Sequence, residues 1–282
     1  MNGFRAALVQ MTSSRSVADN IEAMDALVRR AAAGGAHYVQ TPETTGIMDE
    51  DPKRLFATLR AQDDDPTLAH ARRLAKDLGI HLHVGSLAIK VGDGAKAANR
   101  AFVIAPSGEI LTSYDKIHLF DVQLADGQVY RESARYVAGH RAVVVDLPWG
   151  RMGITICYDL RFPHLYRRLA RDGGAVMLTV PAAFTRPTGE AHWHTLLRAR
   201  AIENGAWVLA AAQGGLHENG RETFGHSIVI DPWGVVVAEA GTEPGVIFAE
   251  IDPAKAAEVR GRVPSLSHDR PFSLSSRSED AR

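Results

Sequence analysis

The sequence predicts an α/β protein in which two sheets pack face to face and helices cover both outer faces, a four-layer α-β-β-α sandwich. Three observations lead to this prediction. Short apolar, β-branched runs alternate with longer segments whose apolar residues recur at helical spacing. The same order of strands and helices occurs in both halves of the chain. Helices would cover one face of each sheet, so the two remaining apolar faces would bury each other.

The first half of the chain follows the order β-α-β-α-β-β. A helix is predicted over residues 17–33, where apolar side chains recur at helical spacing and Gly34 ends the pattern. Pro66 opens a second helix, and Gly79 ends it. Strands are predicted over residues 4–11, 36–40, 80–90, 99–105 and 109–115.

The second half repeats this pattern. Helices are predicted over residues 163–171 and 190–203, and Pro232-Trp233-Gly234 forms a hairpin turn. Strands are predicted over residues 142–147, 152–157, 175–181, 206–212, 226–231, 235–240 and 246–251. We expect residues 1–272 to form one domain, because no linker-like segment separates the halves. The polar residues 273–282 are expected to be a disordered tail.

Composition narrows the classes of function. The 282 residues carry a formal net charge of −1, so no basic excess points to nucleic acid or a membrane surface as a partner. No stretch approaches the roughly 20 apolar residues of a membrane span. One cysteine excludes an intramolecular disulfide and multi-cysteine zinc sites. The first residues lack the features of a signal peptide, so we expect a reducing, cytoplasmic setting.

The only cysteine, Cys157, lies at the predicted junction of a strand and a helix. A lone cysteine is usually a small buried apolar side chain. Here, however, it ends a strand, and polar residues follow it directly. Backbone N–H groups and the helix dipole at such a junction favour the thiolate. Cys157 is therefore a candidate nucleophile, provided that a base and an oxyanion-stabilising group lie nearby.

Glu43 and Lys116 each follow a predicted strand and are the candidate partners of this thiol. Taken singly, each is more typical of a solvated loop charge. Strand ends in such a fold meet at one edge of the sheet, so both side chains can reach Cys157. In that arrangement Glu43 accepts the thiol proton. Lys116 favours the thiolate and stabilises an oxyanion.

Three segments resemble the signature segments of the nitrilase superfamily, the carbon–nitrogen hydrolases. They are Pro42-Glu43, residues 114–120 (Tyr-Asp-Lys-Ile-His-Leu-Phe) and residues 157–163 (Cys-Tyr-Asp-Leu-Arg-Phe-Pro), in the family's order. The resemblance extends from Phe4 to about Phe272. It implies a sandwich of the nitrilase type, no cofactor, no metal, and a homodimer or a higher homo-oligomer.

The resemblance also assigns roles to residues. It implies that Glu43 is the general base, Lys116 the oxyanion stabiliser and Cys157 the nucleophile. Glu132 matches a second glutamate that positions the lysine, although an ordinary loop charge is the alternative. The backbone N–H of Tyr158 would be the second oxyanion donor.

Further segments resemble the amidase branch that contains omega-amidases and deaminated-glutathione amidases, namely residues 188–203, 224–227 and 231–234. This implies hydrolysis of a small carboxylate-bearing amide, either deaminated glutathione or an omega-amide of a 2-oxo acid, through a cysteine thioester with release of ammonia. His164 and Thr44 depart from the family pattern, which weakens the transfer of substrate identity. The alternatives are another family amidase or nitrile hydrolase with a different acyl group, and a catalytically silent binding protein.

Four residues are predicted to contact the substrate: Phe184, Thr185, His118 and Arg131. Core packing is the alternative for Phe184, and a structural hydrogen bond is the alternative for His118. Arg131 lies in one of the loops expected around the mouth of the site, as do Arg186 and Arg221. Each arginine is a candidate carboxylate binder, although a solvated loop charge is typical of such positions.

The remaining histidines suggest two weaker alternatives. His192 and His194 resemble a metal pair and would suit a metal-dependent hydrolase. Residues two apart on a helix do not face each other, however, and no third ligand of matching spacing is evident, so a structural role is favoured. His226 could pair with the thiol as in papain, but the site already has a base and a donor.

Overall fold

Two β-sheets packed face to face form the middle of the protein. The computed structural model describes residues 3–123, 127 and 129–275. In chain order the strands are β1 (Phe4–Gln10), β2 (Tyr38–Gln40), β3 (His81–Val91), β4 (Lys96–Ile104), β5 (Ile110–Asp115), β6 (Asp121–Gln123), β7 (Val129–Arg131), β8 (Tyr136–Val137), β9 (Val143–Leu147), β10 (Gly150–Ile154), β11 (Met177–Thr179), β12 (Trp207–Ala210), β13 (Gly214–Leu216), β14 (Glu222–Phe224), β15 (Ile228–Ile230), β16 (Val236–Glu239) and β17 (Gly245–Ile251).

The helices begin and end at the residue types that terminate helices in general. The Ser16 hydroxyl accepts the N–H of Asp19 at the start of the first long helix. Asp65 caps the next long helix, which ends at Gly79 in a left-handed conformation with φ 66°. The helices are α1 (Val17–Ala33), α2 (Pro52–Thr58), α3 (Pro66–Leu78), α4 (Pro163–Arg171), α5 (Arg186–Asn204) and α6 (Ala254–Arg262).

The first sheet has the strand order β17-β1-β2-β3-β4-β5, and β8 pairs with β4 outside this path. Strands β1, β2 and β3 are parallel. Parallel neighbours need a crossover connection, which α1 supplies between β1 and β2 and α3 between β2 and β3. Strands β17, β4 and β5 pair antiparallel with their neighbours along this path.

The second sheet repeats this plan in the order β16-β15-β12-β11-β10-β9. Strands β10, β11 and β12 are parallel, and α4 and α5 form their crossovers. Strands β9, β15 and β16 pair antiparallel with their neighbours. The order of strands and helices that repeats in the sequence thus corresponds to two sheets of similar topology.

Alternating side chains of β1 show how the layers are arranged. Ala6 and Leu8 join the core between the two sheets, whereas Ala7 and Val9 join the core under α1 and α3. Apolar side chains of α4 and α5 pack on the second sheet. The order helices, sheet, sheet, helices confirms the predicted four-layer sandwich.

The structure corrects several element boundaries. Strand β10 ends at Ile154, so Cys157 begins a 3-10 helix, Cys157–Arg161, instead of ending a strand. Helix α5 begins at Arg186 and not at residue 190, because a proline lies in its first turn. Helices α2 and α6 are not predicted by the pattern, since each is short and buries few side chains.

The end of the described chain is exposed. Phe272 and Leu274 each expose 94% of their surface. Of the predicted tail, residues 276–282 lie outside the described residues, so its disorder and the domain boundary at 272 stay predictions. Within residues 3–123, 127 and 129–275, no helix combines the length and apolar character of a membrane span.

Candidate active site

An open cavity lies beyond the ends of strands from both sheets, and its empty space, including the part open to solvent, is about 840 Å³. The loop after β2 contributes Glu43 to its wall, and the loop after β5 contributes Lys116. From the second sheet, Cys157 follows β10, and Ala183 and Phe184 follow β11. Loops at strand ends are where functional groups collect in such folds.

The backbone holds Cys157 in an uncommon conformation. Its φ is 47°, a left-handed value, which costs a non-glycine residue about 1–3 kcal/mol. Its N–H donates to the Pro181 carbonyl at 2.9 Å, which ties the loop to the neighbouring strand end. In this position the thiol hydrogen-bonds to the carboxylate of Glu43.

Both carboxylate oxygens of Glu43 accept hydrogen bonds. Oε1 accepts from Lys116 Nζ and from Asn99 Nδ2, each at 2.9 Å. Oε2 accepts from the backbone N–H of Ala183 at 2.9 Å. Burial alone would raise the pKa of Glu43, but the charge of Lys116 and hydrogen bonds from Lys116 and Cys157 hold the pKa below its ordinary value. Glu43 is therefore ionised at neutral pH.

Lys116 lies between two carboxylates. Its Nζ is 2.9 Å from Glu43 Oε1 and 2.9 Å from Glu132 Oε2, and only 2% of its side chain is exposed. Burial would lower the pKa of Lys116, but the charges of Glu132 and Glu43 raise it well above its ordinary value. The lysine is thus a fixed cation on the cavity wall.

Asn99 connects the two glutamates and was missed by sequence reasoning. From β4, its Nδ2 donates to Glu43 Oε1 at 2.9 Å and to Glu132 Oε1 at 3.1 Å. Glu132 Oε2 also accepts the Phe120 N–H at 2.6 Å. The available signal was an amide side chain inside a strand, where asparagine is depleted.

The thiol of Cys157 is protonated in this arrangement. Burial raises its pKa, and the negative charge of Glu43 raises it further against the opposing charge of Lys116. The prediction that the junction favours the thiolate is therefore wrong for the resting site. Cys157 lies on a five-residue 3-10 helix and not at the N-terminus of α4, and it faces a carboxylate.

Asp159 ties the nucleophile loop to the loop after β5. Its buried carboxylate accepts from the Tyr114 hydroxyl at 2.7 Å and from the His118 N–H at 3.0 Å, and it lies 2.7 Å from His118 Nδ1. The His118 ring stacks on Phe162 with centroids 3.5 Å apart. Among the described residues that line the cavity, His118 does not occur. The His118 ring holds the structural hydrogen bond that was its alternative role, and contact with the substrate stays a prediction.

The other predicted contact residues do line the cavity: Phe184, Thr185, Arg131 and, as the backbone donor, Tyr158. Of the other candidate carboxylate binders, Arg221 also lines the cavity. Arg186 instead pairs with Glu190 and Glu222, each at 2.9 Å, on the exposed surface. The structure thus separates two arginines that the sequence could not distinguish.

The other candidate histidines, His192, His194 and His226, do not occur among the described residues that line the cavity. His192 Nδ1 lies 3.3 Å from Nη2 of Arg161, whereas His194 Nε2 lies 2.8 Å from Glu239 Oε1. The two imidazoles of this helix therefore face different partners. His226 Nδ1 is 2.7 Å from the same Glu239 oxygen and does not occur among the described lining residues. A papain-type pair of His226 with the thiol is excluded by this geometry.

Comparison with known sequences identifies the family. Residues 5–261 match the family model described as carbon-nitrogen hydrolase. "Deaminated glutathione amidase" of Synechocystis sp. is 42% identical over 272 residues, which cover 95% of this chain and 98% of that protein. "Omega-amidase NIT2" of Homo sapiens is 34% identical over 270 residues, which cover 96% of each protein.

A solved structure agrees with the sequence matches. The crystal structure of the C. elegans NitFhit protein is similar with a TM-score of 0.88 at 38% identity, over 96% of this chain. The match covers 66% of that chain, so this protein spans about two thirds of its length. The resemblance seen in the three signature segments is confirmed: the chain belongs to the carbon–nitrogen hydrolase family of the nitrilase superfamily.

Proposed function

We propose that the protein is a thiol amidohydrolase that cleaves a C–N bond in small carboxylate-bearing amides and releases ammonia. The observation that carries this proposal is the buried group of Cys157, Glu43, Lys116 and Glu132 on one cavity wall. The relatives named deaminated glutathione amidase and omega-amidase support the same reaction class.

In the first half-reaction, Cys157 Sγ attacks the amide carbon while Glu43 accepts the thiol proton. The raised pKa of the thiol and the lowered pKa of Glu43 keep the proton on sulfur until attack begins. Glu43 then gives this proton to the leaving nitrogen. The C–N bond breaks, ammonia leaves, and an acyl thioester remains on Cys157.

Lys116 and the Tyr158 backbone N–H stabilise the oxyanion that forms during attack. Glu132 also holds the lysine head, with contacts of 3.1 and 2.9 Å. The charge is therefore in place before the reaction starts, which is the condition for strong electrostatic stabilisation. In the second half-reaction Glu43 takes a proton from water, the hydroxide attacks the thioester, and the proton returns to sulfur as the carboxylic acid leaves.

Replacing Glu43 tests its two proposed effects on the thiol, namely acceptance of the thiol proton and the raised pKa of the thiol. We expect Glu43→Gln to lower turnover by about 10²–10⁴-fold, because proton transfer is lost. The same change removes the negative charge that raises the thiol pKa, while Lys116 remains. Alkylation of Cys157 by iodoacetamide, followed by mass spectrometry over a pH series, should therefore have its midpoint at lower pH than in wild type.

The matched control is Glu50→Gln, which alters an exposed carboxylate on the cavity wall. It should leave both the midpoint and the turnover close to those of wild type. A midpoint that moves to higher pH in Glu43→Gln would contradict the assigned direction of the charge effect.

The cavity wall carries a charge set that suits a carboxylate-bearing acyl group. Four arginines line it, Arg131, Arg135, Arg161 and Arg221, together with the carboxylates Asp49 and Glu50. Arg221 is anchored by one hydrogen bond, from Nη2 to the Ala183 carbonyl at 2.5 Å, and its guanidinium lies 5.4 Å from the Tyr130 ring centroid. Its buried Nε has no hydrogen-bond partner among the described residues. Arginine presents several donors in a fork that matches a carboxylate.

Removing the guanidinium of Arg221 should lower the hydrolysis of charged substrates more than that of neutral ones. We expect Arg221→Gln to lower kcat/KM for glutaramate by about 10–100-fold, mainly through KM, since a charge-assisted hydrogen bond is lost. Hydrolysis of the neutral amide butyramide should fall far less. Arg186→Gln, at a surface ion pair, is the control and should change neither value. Equal losses for both substrates would remove Arg221 from acyl recognition.

We also propose that the protein forms a homodimer or a higher homo-oligomer, as the family resemblance implies. Exposed apolar side chains support an interface around the edge strand β16: Trp233 and Val235 in the turn before it, Val237 on it, and Ile202 on the neighbouring α5. A reducing compartment such as the cytoplasm would suit the proposed chemistry, because turnover needs a free thiol.

A further inference from the structure

Three side chains outside the catalytic cavity meet in a way that no single segment of sequence suggests. They are His194 on α5, His226 in the loop before β15, and Glu239 at the end of β16. One nitrogen from each imidazole and one carboxylate oxygen lie within 4.8 Å of one another. None of the three occurs among the described residues that line the cavity.

The two imidazoles converge on the same carboxylate oxygen. His194 Nε2 lies 2.8 Å and His226 Nδ1 lies 2.7 Å from Glu239 Oε1. Bonds of about 2.0–2.2 Å to a tetrahedral zinc ion would place neighbouring ligand atoms about 3.3 Å apart. The two nitrogen–oxygen separations are about 0.5 Å shorter than this spacing, so rotamer changes that lengthen them by that amount would open the space for an ion. Side-chain exposures of 39%, 28% and 32% leave a path from solvent.

The scaffold holds His226 in place by its backbone. Its φ is 54°, a conformation uncommon for a residue with a side chain. Its N–H donates to the Gly241 carbonyl at 2.8 Å, and its own carbonyl accepts the Trp193 Nε1–H at 2.8 Å. The ring stacks on Phe224 with centroids 4.3 Å apart. The ligand nitrogen is thus aimed at Glu239 by contacts that do not involve Glu239.

Glu239 supplies a carboxylate oxygen beside the two imidazole nitrogens. Two imidazoles and one carboxylate form a donor set that suits zinc and similar divalent transition metals, and not magnesium or calcium.

We propose that His194, His226 and Glu239 bind a divalent transition-metal ion, with zinc as the probe, and that this ion ties α5 to the edge strand β16. A fourth position stays open to water. The role is structural, because the proposed thiol chemistry already has its nucleophile, base and oxyanion donor in the cavity. The site is nevertheless connected to the cavity wall through Phe224. Its ring stacks on His226, and its N–H donates to the carbonyl of the wall residue Phe184 at 3.0 Å.

The test is a zinc titration of tag-free, chelator-treated protein by calorimetry. It uses a Cys157→Ser background so that the thiol cannot bind the metal. We expect one saturable site, and a rise in Tm of about 5 °C at a hundredfold excess of zinc over Kd. Magnesium should have no effect. In protein that retains Cys157, cobalt should give visible absorption bands but no charge-transfer band from a thiolate ligand.

Matched variants locate the ion. His194→Ala and Glu239→Gln should each weaken zinc binding at least about tenfold, and His226→Asn, which suits the left-handed backbone, should do the same. His192→Ala, two residues from His194 on the same helix, should bind as the parent does. Absence of saturable binding overturns the proposal, as does equal affinity in parent, His194→Ala and Glu239→Gln.

Discussion

Cys157→Ala is expected to lower turnover of glutaramate-like amides by at least about 10⁴-fold, because no other group in the cavity can form the proposed thioester. The fold should persist. The side chain is a small buried group, and its truncation removes one sulfur atom from the wall without leaving a buried charge unpaired. The measurements are ammonia release and the Tm of the same preparation.

A chemical trap tests the intermediate as well as the residue. Hydroxylamine added to wild-type protein should divert the acyl group to a hydroxamate, since a thioester reacts with this nucleophile. Cys157→Ala should give none. If the variant releases ammonia at the wild-type rate with an unchanged Tm, the thiol mechanism is wrong, and a different nucleophile must be sought.

Lys116→Met is expected to damage both stability and catalysis. The change leaves the buried Glu43 and the partly buried Glu132 without their shared cation, and breaking a buried ion pair in this way costs about 3–5 kcal/mol. Loss of an oxyanion donor should lower kcat by a further factor of about 10²–10³. Lys53→Met, at an exposed position of α2, should change the free energy of unfolding by less than about 0.5 kcal/mol.

The stability loss in Lys116→Met should depend on pH in a defined direction. In wild type the folded pKa of Glu43 lies below its unfolded value, so this group stabilises the fold above the unfolded pKa and the contribution is lost on acidification. The pKa of Lys116 is raised, so its contribution is present at neutral pH and is lost only at strongly alkaline pH.

Without Lys116, burial becomes the dominant influence on Glu43 and raises its pKa above the unfolded value. The folded variant then takes up a proton more readily than the unfolded chain, and its deficit relative to wild type should shrink as the pH falls from 7 toward 5. Denaturant unfolding of both proteins over this range measures the effect. A deficit that is constant or grows on acidification would contradict the assigned charge coupling.

Local patterns in the sequence were sufficient for the architecture. Helical spacing of apolar residues, with Gly34 and Gly79 at the helix ends, predicted α1 and α3, because periodicity and capping act within a few residues. The same holds for the family, which three short segments indicated and the comparisons confirm. Short helices such as α2 were not predicted, because they bury too few side chains to produce a helical spacing of apolar residues.

The local environment of each candidate group depends on residues far away in the chain. Glu43 meets Lys116 across 73 positions and Ala183 across 140. The charge of Lys116 and hydrogen bonds from Lys116 and Cys157 reverse the effect of burial on the Glu43 pKa. The direction of the Cys157 pKa shift was misjudged for this reason. A strand-to-helix junction favours the thiolate, but a facing carboxylate and burial oppose it more strongly.

Local spacing and short motifs were enough to predict the order of the elements, the family and the candidate reactive side chains. The neighbours of those side chains depend on how the chain folds. Folding joined Asn99 to two glutamates, tied His118 to Asp159, and brought His194, His226 and Glu239 together. Such contacts form between segments that are distant in the chain, and Coulomb and desolvation effects on each group depend on those distances in space.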